Sequence, residues 1–186
     1  MIWIFIIFFQ VNNKIYPIER LQIKNNRQVN PNAEDLIKIR QDLSSIKNSY
    51  KTWTTRQPDN LILRLPVQGR KSSKYGLKRI LNGIEKQPHS GLDIAAAKGE
   101  LVLAAANGKI IEIGNYFYNG NTIFIDHGKG LITSYSHLDQ TLVKAKQTVK
   151  MGEPIGTVGN TGRATGPHLH WSVSLNDVRV DPELFL

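Results

Sequence analysis

"NTIFIDHGKGLITSYSHL", residues 121–138, reads as strand, turn and strand: two runs rich in β-branched and apolar residues, separated by the glycine-punctuated "DHGKG". The same pattern recurs on both sides of it. "LVLAAANGKIIEIG" (101–114) places Asn107-Gly108, a strong hairpin signal, between two apolar runs, and "HLHWSVSLNDVRV" (168–180) turns at Asn176-Asp177. From about residue 62 onward the chain is therefore expected to be mainly β, a compact antiparallel sandwich or partly open barrel built from hairpins.

Upstream of the polar breaker "TTRQPDN" (54–60) the period changes. Leu36, Ile39, Leu43, Ile46, Tyr50 and Trp53 recur at spacings of 3, 4, 3, 4 and 3, which is one stripe of an amphipathic helix over about 33–53. Asn32 suits its N-cap, and Glu34 and Asp35 suit the positive end of its dipole. Fewer than three heptads favours docking on its own domain over a partner-binding coiled coil. The expected organisation is an N-terminal segment, 1–61, followed by one domain, 62–186. The opening run "MIWIFIIFFQ" is too short to span a bilayer and lacks the basic region and cleavage site of a secretory signal. It is either the stump of a targeting segment or a buried strand, so an export signal is absent or incomplete in the sequence as read and no membrane span is expected.

The chain carries 24 Lys+Arg against 15 Asp+Glu, a net charge of +9, and the excess sits entirely in the first half, notably in "RKSSKYGLKR" (70–79). Charge attracts polyanions without naming them. No helix-turn-helix or other nucleic-acid motif accompanies it, so nucleic acid is not the expected partner, and contact with an anionic cell envelope is the alternative to a merely solvated face. Cysteine is absent, which excludes disulfides and thiolate metal sites; a metal must be held by His, Asp or Glu.

Such residues are present in a chain with only five histidines. "QPHSGLD" (87–93) sets His89 four positions before Asp93. In "HLHW" the imidazoles of His168 and His170 share one face of a strand while Leu169, Trp171, Val173 and Leu175 point to the other, the expected core face. His137 ends a strand in which Leu131, Thr133, Tyr135 and His137 alternate onto one face. A catalytic zinc takes three nitrogen or oxygen ligands and leaves a position open, so two His and one Asp make a sufficient set, with the remaining histidines free for proton transfer. Spacing alone does not say which histidine does which. His127, at a hairpin turn, is read as structural. "GTVGNTGRATG" (156–166) lacks the Gly-Lys-Ser/Thr ending of a phosphate cradle and is read as a loop shaping a cleft.

"HSGLD" fits the His-x-x-x-Asp motif and "HLH" the His-x-His motif of the LytM/lysostaphin-type zinc metallopeptidases. "YSHL", "GNTIFIDHGKG" and "GEPIGTVGNTGRATGPHLHW" resemble further blocks of that family in the correct order, over roughly 62–186. "YPIERLQIKNNRQVNP" is similar to the segment preceding this domain in Gram-negative envelope peptidases. The resemblance implies one Zn2+ per chain held by His89, Asp93 and His170, a catalytic pair of His168 and His137, peptide stems of peptidoglycan as substrate, and a periplasmic or envelope location. Two alternatives from other classes are a catalytically silent LytM-like module that binds the wall and activates another hydrolase, and a lipoyl-type carrier suggested by Lys150 in "TVKMGEPIG". The first lacks a reason for a full ligand set, and the second for any of it.

Overall fold

The computed structural model describes residue 10 and residues 12–186, so all but the last residue of "MIWIFIIFFQ" lies outside the described residues. The elements in chain order are β1 (Ile18–Leu21), α1 (Ala33–Tyr50), β2 (Arg70–Ser73), β3 (Lys78–Leu81), β4 (Ile84–Lys86), β5 (Leu92–Ala95), β6 (Leu101–Leu103), β7 (Gly108–Tyr116), β8 (Gly120–Gly128), β9 (Leu131–Thr141), β10 (Thr148–Val149), β11 (Pro154–Val158), β12 (His168–Leu175) and β13 (Val178–Val180). Strands β7, β8 and β9 form an antiparallel meander whose β8–β9 hairpin turns through "DHGKG" as expected, but the hairpin expected at Asn107-Gly108 does not form: β6 pairs with β11, and β7 pairs with β8 and β10. The main sheet runs β10-β7-β8-β9-β12-β5-β2, with β11 bridging β6 and β9 and β13 lying beside β12. Its pairings are antiparallel and it does not close on itself, so the fold is mainly β and open-sheeted, as the hairpin pattern indicates.

The core follows from strand alternation. Leu92 and Ile94 of β5, Ile123 and Ile125 of β8, Leu131 and Tyr135 of β9, and Leu169, Trp171 and Val173 of β12 pack into one cluster. On the opposite face of β8 and β9, Phe124 and Ile132 are covered by Tyr50 of α1 and Tyr116 of β7. The Tyr50 and Phe124 rings meet edge-on at 5.3 Å, and the Tyr50 hydroxyl lies 2.7 Å from Ser134 Oγ. Both faces of the central strands are thus buried, which is why "TIFID" and "LITSYS" are nearly continuous apolar or small-residue runs.

The helix departs from its expected bounds and face. It starts as read, with Asn32 and Asp35 forming a reciprocal capping box, but ends at Tyr50, capped by Lys51, and leaves Trp53 outside and exposed. Leu36 and Leu43 are also exposed. The inward side instead runs through Asp35, Ile39, Asp42, Ile46 and Tyr50, because polar partners await the two aspartates. Asp35 accepts from Arg27 Nη2 at 2.6 Å, and Asp42 Oδ2 accepts the Phe117 N–H at 2.7 Å. Hydropathy cannot see a buried carboxylate that has a donor to meet.

The N-terminal segment contributes a strand that periodicity did not reveal. β1 pairs in parallel with β3, and β3 with β4, making a second small sheet. It lies beside the histidine-bearing face of β5 and β12: Glu19 of β1 accepts from Ser73 Oγ at 2.8 Å and from Arg79 Nε at 3.0 Å.

Candidate active site

Register brings the first two groups together. His170 of β12 stands directly opposite Asp93 of β5 in the antiparallel ladder, both on the face away from Leu92, Ile94, Leu169 and Trp171. His89 arrives from the turn before β5, its main chain clamped by His89 N–H to Leu77 C=O (2.9 Å) and Gly76 N–H to His89 C=O (2.8 Å). The glycine of "HSGLD" permits this approach. A Cβ on Gly91 would sit 2.5 Å from Trp171 O and 2.6 Å from Ser172 Oγ, closer than real contacts allow. The resulting triangle is tight: His89 Nε2 to Asp93 Oδ1 is 2.9 Å, His170 Nδ1 to Asp93 Oδ1 is 2.7 Å, and His89 Nε2 to His170 Nδ1 is 3.0 Å.

His137 reaches the same place by breaking the alternation. Leu131, Thr133 and Tyr135 face inward, and a regular strand would carry His137 in with them. Instead Asn121 pairs with Leu138 and Ile123 with Tyr135, so β9 holds one extra residue, and His137 takes φ +64. Tyr135 and Leu138 both point into the core, while the His137 ring swings out to 4.7 Å from His168 and 6.0 Å from His170. A left-handed conformation at a non-glycine residue is strained and persists because its surroundings hold it, here through His137 N–H to Asn119 C=O at 2.8 Å.

The tautomers follow from main-chain carbonyls. His89 Nδ1 is 2.8 Å from Lys74 O, His137 Nδ1 is 2.7 Å from Thr161 O, and His168 Nδ1 is 2.8 Å from Gly166 O. A carbonyl only accepts, so each Nδ1 carries the hydrogen and each Nε2 presents a lone pair. His168 Nε2 lies 4.0 Å from Asp93 Oδ1. His170 is reversed: its Nδ1 enters the triangle and its Nε2 lies 3.0 Å from Ser172 Oγ. Burial alone would raise the Asp93 carboxyl, but its contacts with His170 and His89 outweigh that and hold it well below the usual carboxylate range. Burial, with neighbouring histidines opposing a further positive charge, lowers His137 to about 3; His170 is lowered to about 4, again chiefly by burial. The Asp93 carboxylate is therefore ionised while His137 and His170 stay neutral near neutral pH.

That donor set fits a divalent cation. Ligands about 2.0 Å from a tetrahedral zinc ion lie about 3.3 Å from one another, a few tenths of an ångström more than the sides of the His89–Asp93–His170 triangle. Asp93 Oδ2 accepts from Arg79 Nη2 at 2.6 Å, which leaves Oδ1 turned into the triangle. All five residues singled out in the sequence are therefore brought together, and they are joined by three that were not: Arg79, hidden within the basic run; Glu19, which holds Arg79; and Arg163, in the glycine-rich loop that does shape the cleft. His127 is elsewhere, buried, with Nδ1 2.9 Å from Asn107 O and Nε2 2.8 Å from Thr133 Oγ1. Part of the basic run is neutralised locally, since Lys71 and Lys74 reach Glu183.

An open antiparallel sheet carrying a histidine and carboxylate centre suited to a metal ion is the class that fold and site define. Within it the chain belongs to Peptidase family M23, which matches residues 87–182. It is 36% identical over 136 residues to the peptidoglycan DD-endopeptidase ShyC of Vibrio cholerae, covering 72% of this chain and 31% of that protein. Among solved structures it is similar to a Pseudomonas aeruginosa chain assigned to peptidase M23, with TM-score 0.75 and 47% identity over 82% of this chain and 62% of that one. It also resembles a zinc-containing peptidase from Vibrio cholerae, with TM-score 0.60 and 36% identity, covering 68% of this chain and 39% of that one. The chain spans less than a third of the length of the endopeptidase relatives it matches.

Proposed function

We propose that this chain is a zinc-dependent endopeptidase that hydrolyses peptide cross-links of bacterial peptidoglycan. The observation that carries the reading is the triangle of His89 Nε2, Asp93 Oδ1 and His170 Nδ1, with sides of 2.7–3.0 Å and two further imidazoles beside it. A silent, wall-binding module would have no use for that arrangement. The named activity of the relatives and the zinc of one structural neighbour support the same choice. His89, Asp93 and His170 would hold one zinc ion per chain. Bound there, zinc supplies Lewis acidity for the scissile carbonyl and the attacking water.

The remaining work falls to the chain's own groups. His168, with its hydrogen fixed on Gly166 O, offers the Nε2 lone pair as general base and would return the proton to the leaving amine. His137, fixed in the same way on Thr161 O, would accept a hydrogen bond from the attacking water and orient it. Arg79 holds Asp93 Oδ2, so that Oδ1 would be the oxygen left to serve the metal. The substrate would place the protein in the periplasm or cell envelope. The excess positive charge of residues 1–90 would hold it near an anionic wall, which predicts binding to wall material that weakens as salt rises. The division into 1–61 and 62–186 belongs to the same proposal.

Equilibrium dialysis against zinc tests this directly. One zinc per chain is expected to be retained through gel filtration, removed by chelator together with hydrolysis, and missing from Asp93→Ala. Wild-type protein unable to retain zinc would contradict it.

A further inference from the structure

Arg163 sits in the loop between β11 and β12 and has no carboxylate partner among the described residues. Its place is fixed on two sides. Its N–H donates to Tyr118 C=O at 2.8 Å, and its guanidinium lies over the Tyr118 ring, 4.2 Å from the centroid. Nη1 donates to Gln28 C=O at 3.3 Å, and Gln28 Nε2 in turn donates to Gly162 C=O at 2.7 Å. A guanidinium has five N–H donors, so most of them remain for something else.

Arg163 also borders the site. Arg163 lines two adjoining hollows with His137: one is shared with His89 and His170, the other with Asp93 and His168. The second guanidinium there, Arg79, is already engaged by Asp93 Oδ2 and Glu19 Oε2. Burial lowers the pKa of Arg163, and the charge of Arg79 lowers it further. A half-buried cation without a counter-ion costs stability unless a ligand supplies the charge. Its planar fork matches a carboxylate with two parallel hydrogen bonds, a geometry no amide offers.

We infer that Arg163 binds a free carboxylate of the substrate next to the scissile amide, making it the residue that selects cross-links flanked by such a group. This rests on the peptidase reading above and specifies its substrate: a peptide whose amide is cut within one residue of an unblocked carboxylate. The carboxylate docks on the Tyr118-backed guanidinium while the amide carbonyl lies over the His89–Asp93–His170 triangle.

The test uses the zinc-loaded chain and two synthetic peptides, identical except that the carboxylate beside the scissile bond is free in one and a carboxamide in the other. Wild type is expected to favour the free carboxylate by about 10- to 100-fold in kcat/KM. In Arg163→Gln the ratio should collapse towards one, and in Arg163→Lys, which keeps the charge without the fork, it should fall part of the way. Zinc content of both variants shows that the site still forms. Equal cleavage of the two peptides by wild type, or an undiminished ratio in Arg163→Gln, overturns the assignment while leaving the peptidase reading intact. Cleavage of neither peptide by zinc-loaded wild type overturns both.

Discussion

His168 and His170 are two residues apart on one strand face, yet the structure gives them different surroundings. His170 Nδ1 is a corner of the triangle, 2.7 Å from Asp93 Oδ1, whereas His168 Nε2 stands off at 4.0 Å. His170→Ala is therefore expected to lose zinc and activity together. His168→Ala should keep zinc and lose about 10²- to 10⁴-fold in turnover, the scale of a positioned general base. Metal content and turnover measured in parallel check this, and equal loss of zinc in both variants would make His168 a ligand. That His168 and His170 share a face was legible because period-two alternation needs only one strand at a time, whereas His89 and Asp93 were legible only as the motif in "HSGLD", since His89 lies in the turn before β5. His137 was not legible in that way: alternation assigns it to the core with Tyr135, and only the extra residue in β9 turns it outward. Arg79 and Arg163 were invisible because their meaning lies in contacts with Asp93 and Tyr118, 14 and 45 positions away in the numbering.

The helix shows what a hydrophobic stripe can and cannot determine. Its existence, start and cap followed from the period and from Asn32 and Asp35, but its inward face is rotated towards Asp35 and Asp42. Leu43 is 56% exposed and Ile39 only 7%. Leu43→Ala should thus cost less than about 1 kcal/mol, and Ile39→Ala about 2–4 kcal/mol, as chemical denaturation would show. Tyr50→Phe should cost about 1 kcal/mol through loss of its contact with Ser134. A large effect of Leu43→Ala without an effect of Ile39→Ala would contradict the packing described. Strand β1 escaped the sequence because an isolated "IERL" has no period to read; it exists because β3 offers it a parallel edge.

For the whole molecule, the buried histidines make stability sensitive to acid. His127 is lowered by burial to about 4 from an ordinary 6.5. As pH falls below about 6.5 the unfolded chain takes up a proton that the folded chain refuses, so this contribution is complete above 6.5 and lost progressively down to about 4. The loss amounts to about 3 kcal/mol. Urea titrations across this range should show it, with a shallower slope in His127→Gln; a slope unchanged by that substitution would argue against a buried neutral His127. In the metal-free protein His137 and His170 add to the effect in the same direction. The fold class was legible from hairpin signals alone, since turn residues and β-branched runs are local. The way the N-terminal segment returns to hold Arg79 through Glu19 was not, since nothing local records a contact between residues 19 and 79. The most direct test of the central claim is mass spectrometry of soluble material released from purified peptidoglycan by the zinc-loaded chain, with Asp93→Ala as control. Fragments with newly freed peptide ends on intact glycan strands are expected, from wild type alone. Absence of release, release through cut glycan strands, or equal release by Asp93→Ala would contradict the claim.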